Sequence, residues 1–229
     1  MKSRKNLFIL IFGILFSVLF FQCQLVGAQT EDTVSSAVLA KPDADGWISL
    51  FNGKDLSGWK IPPFGGEGEV TVEDGIMTIQ MGAMVSGIAF DQAFPFKTNY
   101  EVEVEAMRTM GFDFYSAITF PIGEKGYSTF INGGWGGGVF GLSCVNGYDA
   151  SENETMELVQ TKNDVWNVFR VRVYEDRIEC WRDDQKIVNC PREGNEFSTR
   201  FEVEYTQPFG ISNYCSETKI KSIRIRELK

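Results

Sequence analysis

The sequence predicts an all-β domain, a sandwich or a barrel. Three observations carry this. Apolar residues recur at every second position in several short segments. Gly, Asn, Asp and Pro cluster between those segments. No convincing amphipathic helix longer than two turns interrupts them.

The first 28 residues stand apart. Lys2, Arg4 and Lys5 make a positive start, Leu7 to Phe21 is an apolar run of fifteen, and Val26-Gly27-Ala28 puts small residues before Gln29. This is the pattern of a secretory signal peptide. The run is shorter than the roughly 18 apolar residues of a spanning helix. The expectation is cleavage near Ala28/Gln29, a periplasmic or extracellular location, and no membrane span afterwards. The Phe20-Phe21-Gln22 context disfavours lipidation at Cys23. Residues 29–45, small and polar around Pro42, read as a flexible linker. Residues 46–229 then form one domain of ordinary size.

In that domain Tyr100, Val102 and Val104 alternate with Glu101, Glu103 and Glu105, which read as solvated exterior. Phe169, Val171 and Val173 alternate with Arg170, Arg172 and Tyr174. Phe201, Val203 and Tyr205 alternate with Arg200, Glu202 and Glu204, which predicts a further strand. Shorter runs are Ile76–Gln80, Phe114–Phe120, Tyr127–Ile131, Val139–Leu142, Ile178–Trp181, Phe209–Ser212 and Ile220–Ile225. Single helical turns fit Gly53–Leu56 or Ser151–Glu154. Faces that alternate apolar and polar suit two sheets with a shared core and wet exteriors.

Composition narrows the chemistry. The 229 residues include no histidine. That excludes a Ser-His-Asp triad, a Cys-His pair and a His-bearing zinc site. Acid–base work falls to carboxylates, Lys, Tyr or Cys. The net charge is −9 and becomes −12 when Lys2, Arg4 and Lys5 leave with the leader. So acidic a chain is not a nucleic-acid partner. The mature cysteines are Cys144, Cys180, Cys190 and Cys215, for which three full pairings exist. Cys180 and Cys190 flank an expected turn at Asp183–Lys186 and are the first pair to consider. Free thiols are the alternative in a domain large enough to need no staples.

The domain opens Gly46-Trp47-Ile48-Ser49-Leu50-Phe51-Asn52-Gly53-Lys54-Asp55-Leu56-Ser57-Gly58-Trp59. With Val72-Glu73-Asp74-Gly75 and Trp166-Asn167, this resembles the 3-keto-disaccharide hydrolase family, from about Gly46 to Leu228. The resemblance implies a two-sheet jelly-roll sandwich of the concanavalin A-like lectin/glucanase type. It also implies export and cleavage of glycosides oxidised at C3. A ketone at C3 acidifies the C2 proton; a base removes it and the C1 group leaves. The chain departs from the family pattern in two places. Ser128 stands where a Glu is usual and Asn132-Gly133 near a usual Asp. Tyr115-Ser116-Ala117 replaces a typical Asn-Ser-Gly.

Three constellations are candidates for that chemistry. Asn132-Gly133-Gly134-Trp135-Gly136-Gly137-Gly138 puts a Trp on a loop permissive of positive φ, able to stack on a sugar or to tuck into the core. Asp149, Glu152, Asn153 and Glu154 place several oxygen ligands close together. Asp149, Glu152 and Glu154, with Asp113, are the candidate catalytic carboxylates. Asp149, Glu152 and Asn153 are candidate ligands for Ca²⁺, and a solvated acidic turn is the plainer reading. Arg170, Arg200, Glu202 and Tyr115 join Asn132 and Trp135 as candidate contacts to substrate, with cross-strand ion pairs as the alternative. No laminarinase-type Glu-x-Asp-x-x-Glu, phosphate loop or dinucleotide fingerprint is present. The reading is a carbohydrate-active domain, catalytic on 3-keto glycosides, or else a binding module or a calcium-stabilised surface domain.

Overall fold

The computed structural model describes residues 39–229. In chain order the first strands are β1 (Ile48–Ser49), β2 (Trp59–Lys60), β3 (Val70–Glu73), β4 (Ile76–Ile79) and β5 (Val85–Phe90). Then come β6 (Tyr100–Gly111), β7 (Ala117–Ile122), β8 (Gly126–Gly133), β9 (Val139–Ser143) and β10 (Glu157–Leu158). The last are β11 (Asn167–Val173), β12 (Arg177–Arg182), β13 (Gln185–Pro191), β14 (Gly210–Tyr214) and β15 (Ser216–Glu227). The expected signal peptide lies outside the described residues. No helix among the described residues is long and apolar enough to cross a membrane.

The strands make two antiparallel sheets. The first runs β13-β12-β11-β6-β15-β4-β3, with β1 added to β15; the second runs β10-β9-β8-β7-β14-β5-β2. The core lies between them. Tyr100, Val102, Val104, Phe169 and Val171 from the first sheet meet Ile88, Phe90, Ile118, Phe120, Phe130 and Ile211 from the second. Alternation sets this: Val102 pairs with Val171 and Ile225, and Ile118 with Phe130 and Ile211, so one face of each sheet is apolar throughout.

The outer face of the first sheet is a ladder of ion pairs. Arg224 donates to Glu103 and Lys221 to Glu105. Arg172 and Arg226 both donate to Glu101. Glu101 was expected on a solvated exterior, yet it is completely buried under the two guanidinium groups. The guanidinium groups of Arg224 and Arg226 each lie 4.3 Å from the Trp47 ring centroid.

One further expectation changes. Residues 201–206 form a 3₁₀ helix rather than a strand. Their alternation is real, but Val203 and Thr206, three apart, are the buried pair. The helix lies on the outer face of the second sheet, where Thr206 Oγ1 meets Thr119 Oγ1 at 2.7 Å. A side chain at Gly210 would strike Thr206, its Cβ falling 2.8 Å from the Thr206 Cβ. The described end of the expected linker is also anchored. Leu39 packs on the core, and Asp43 accepts the backbone N–H groups of Asp45 and Trp47. The four cysteines are free thiols. Cys180 faces Val188, and Cys190 faces Ile178, so the two are diagonal across β12 and β13 rather than opposed.

Candidate functional site

The outer face of the second sheet carries a cleft of about 260 Å³. Its floor is Val85, Thr129, Ile131 and Ser143, the outward residues of β5, β8 and β9. Met84, Phe114 and Tyr214 line it too, and the Phe114 and Tyr214 rings stack with centroids 5.9 Å apart. Arg200, Glu202 and Val203 enter with the 3₁₀ helix, and Asp113 and Trp135 with two loops.

Trp135 is held by the glycines around it. Residues Gly134–Gly137 form a turn between β8 and β9, with positive φ at Gly133 (78°), Trp135 (49°), Gly136 (85°) and Gly137 (104°). Gly137 has no alternative: a Cβ there would lie 2.7 Å from the Phe112 carbonyl oxygen. The turn leaves Trp135 44% exposed at the cleft. Asp113 fastens the turn. One carboxylate oxygen accepts the Gly136 N–H at 2.9 Å, and the other accepts the Phe114 N–H at 2.8 Å.

Opposite polarity comes from Arg200. It donates to Glu202 through Nη2 (2.6 Å) and Nε (3.0 Å) and to Asp149 through Nη1. The Arg200 hydrogen bonds hold the Glu202 carboxyl below the usual range, and the same bonds raise Arg200. Asp149 also accepts from the Ser143 hydroxyl at 3.2 Å and the Cys144 thiol at 3.4 Å.

Of the sequence candidates, Asp113, Trp135, Arg200 and Glu202 therefore line one cleft, and Asp149 is bonded to its arginine. The others are elsewhere. Glu152 and Glu154 are exposed and form no side-chain hydrogen bond among the described residues. Asn153 is consumed by its own loop: its amide donates to the carbonyls of Leu142, Tyr148 and Asp149, and its oxygen accepts from Thr155. Among the described residues no three Asp, Glu or Cys side chains stand close enough to share a metal ion. Of the residues expected to bind calcium, Asp149 is bonded to Arg200, Glu152 is exposed and Asn153 is bonded within its own loop.

Tyr115 and Asn132 are buried rather than presented to a ligand. The Tyr115 hydroxyl donates to Asn167 at 3.0 Å, and burial pushes it up to about 12. The Asn132 amide donates to the Ser116 carbonyl at 2.6 Å. Arg170 lies on the first sheet, 6.0 Å over the Trp181 ring and bonded to the Asp183 carbonyl, away from the cleft. Ser128 opposes Phe120 in the ladder and is fully buried, so it offers the cleft nothing.

The Phe114–Tyr214 stack was not anticipated. Tyr214 had a usable signal: it shares the parity of Gly210 and Ser212, the outward positions of β14. Phe114 follows a loop, where parity gives none.

The family model of the 3-keto-alpha-glucoside-1,2-lyase-like domain matches residues 46–226. The chain belongs to this family. No curated protein matches the chain. Three solved structures are similar to this 3-keto-alpha-glucoside-1,2-lyase-like domain. A candidate glycosyl hydrolase from Parabacteroides distasonis is 17% identical, with TM-score 0.52 over 81% of this chain and 95% of its own. The Crh5 transglycosylase in complex with NAG is 15% identical, with TM-score 0.55 over 83% and 88%. The Emp47p carbohydrate recognition domain is 14% identical, with TM-score 0.51 over 82% and 98%. At these identities the likeness establishes the fold, a two-sheet antiparallel sandwich of the concanavalin-like type.

Proposed function

We propose that this domain is exported and acts on a glycoside oxidised at C3, bound in the cleft on the second sheet. One observation carries the reading. Asp113, Trp135, Arg200 and Glu202 come from separate loops and a 3₁₀ helix, yet line the same cleft. A sugar needs an aromatic platform for its apolar face and polar groups for its hydroxyls. Trp135 and the Phe114–Tyr214 stack supply the first, and Arg200, Glu202, Thr129 and Ser143 the second.

Family membership supports the chemistry. In this reading Asp113 removes the C2 proton, Arg200 faces the enolate oxygen at C3, and the C1 group leaves. Addition of water completes a net hydrolysis. Asp113 suits the base because each of its oxygens accepts a single backbone N–H, which leaves a lone pair available on each. Glu202 suits it less, since the Arg200 bonds make it a weaker base.

That same depression favours a second reading, a non-catalytic carbohydrate-binding module. Incubation with α- and β-linked 3-keto disaccharides separates the two. The catalytic reading expects turnover that falls at least about 100-fold in Asp113→Asn. Absence of turnover by the intact protein over the whole panel sinks it. Retained Trp135-dependent binding of the same sugars would then support the module.

A further inference from the structure

Arg108 is the only arginine or lysine among the buried residues described, with 5% exposure. It makes no ion pair with an acid among the described residues. Burial accordingly lowers its pKa. A buried guanidinium without a carboxylate is costly, and an apolar side chain would fill the same space more cheaply. What it holds explains its place.

Its donors reach three segments. Nη1 donates to the Asp113 main-chain carbonyl at 3.1 Å, Nη2 to Thr161 Oγ1 at 2.8 Å, and Nε to Asn163 Oδ1 at 2.6 Å. Thr161 passes the bond on, donating its own hydroxyl proton to the Gly137 carbonyl at 2.6 Å. Gly137 belongs to the turn that carries Trp135, and Asp113 binds that turn from the other side through Gly136. The bonds close a circuit: Arg108, Asp113, the glycine turn, Thr161, and back to Arg108. A cationic donor at the head of the chain polarises the Thr161 hydroxyl and strengthens its bond to Gly137.

We propose that Arg108 is a positioning residue: through Asp113 on one side and Thr161 on the other, it fixes the Trp135 platform relative to the Asp113 carboxylate. The inference rests on the proposed reading only for what Trp135 and Asp113 do there. The geometry can be tested with no ligand.

The experiment is ¹⁹F NMR of the full chain labelled with 5-fluorotryptophan, the Trp135 resonance being assigned by its loss in Trp135→Phe. In Thr161→Val and Arg108→Lys the Trp135 resonance is expected to shift and broaden. The resonances of Trp47 and Trp59, whose rings lie outside the circuit, are expected to stay in place. Thr161→Ser, which keeps the hydroxyl, is expected to restore the wild-type position. An unmoved Trp135 resonance in Thr161→Val overturns the proposal, as does movement of all the tryptophan resonances together, which would mark general loosening. If Arg108→Lys does not fold, the Thr161 pair decides. These readouts are independent of any saccharide, so failure of the functional reading leaves them interpretable.

Discussion

Arg200 grips Glu202 with two hydrogen bonds, at 2.6 and 3.0 Å, and turns its remaining Nη1 to Asp149. One cation thus joins the 3₁₀ helix to the loop after β9 across the outer face of the second sheet. The arrangement leaves Glu202 a weakened base and Arg200 a fixed donor at the cleft. In the proposed mechanism Asp113 is accordingly the base and Arg200 the electrophile.

The pair makes stability depend on acid. The Glu202 carboxyl is depressed by its Arg200 bonds, so its contribution is complete above the ordinary glutamate range. It is lost as the pH falls through the lowered folded value. Glu202→Gln should therefore cost up to about 1 kcal/mol at pH 7, a modest figure because both side chains are partly solvated. The gap between wild type and variant should shrink as the pH drops below about 4. Urea unfolding at the two pH values checks this, and a gap that widens in acid refutes it.

The acidic loop should separate into one structural residue and two bystanders. Asn153 donates to three carbonyls and accepts from Thr155. Asn153→Ala should cost about 2–3 kcal/mol, because it strands several partly buried groups. Glu152→Gln and Glu154→Gln should stay within about 0.5 kcal/mol of wild type and leave turnover intact. Chelator should not move the melting temperature. A chelator-sensitive Tm would restore calcium to this loop.

The fold was legible where alternation and burial agree. Val102, Val104, Phe169 and Val171 read as one face of strands, and they are. Alternation failed at Phe201–Thr206 because period two in sequence does not guarantee a ladder partner. The adjoining outer face is small, with Gly87, Ala89 and Gly210 outward, and accepts a 3₁₀ turn. β5 was missed because its outward Gly and Ala hide the pattern. The cleft was half legible. Trp135 and Asp113 announced themselves through glycines and charge. Tyr115 and Asn132 did not betray that they point inward, since a loop precedes one and a turn follows the other.

Glu101 offers a test of the ladder on the first sheet. It is fully buried beneath Arg172 and Arg226, which donate to its two oxygens at 2.8 and 2.6 Å. Removing one partner of a buried ion cluster leaves the others uncompensated. Glu101→Ala should cost about 3 kcal/mol or more in urea unfolding, whereas Glu105→Ala, paired to an exposed lysine, should cost under about 1 kcal/mol. Equal losses would mean that Glu101 is as well hydrated as its neighbours.

Trp135 should trade stability against binding. It occupies a left-handed conformation, φ 49°, that a residue with a Cβ adopts at a cost of roughly 1–2 kcal/mol. The residue is 44% exposed, so the fold recovers little of that cost by burying it. Trp135→Gly should relieve the strain, and the extra freedom of glycine in the unfolded chain offsets part of the gain. The glycine variant should then exceed Trp135→Ala in stability by about 0.5–1 kcal/mol. Both variants lose the platform, and affinity for a bound glycoside should fall about tenfold, the equivalent of about 1.4 kcal/mol of stacking. Parallel urea unfolding and titration of the three proteins decides the matter. If glycine is the least stable of the three, the indole is packed for the fold. If it is the more stable variant and the weaker binder than wild type, the strain is kept for the ligand.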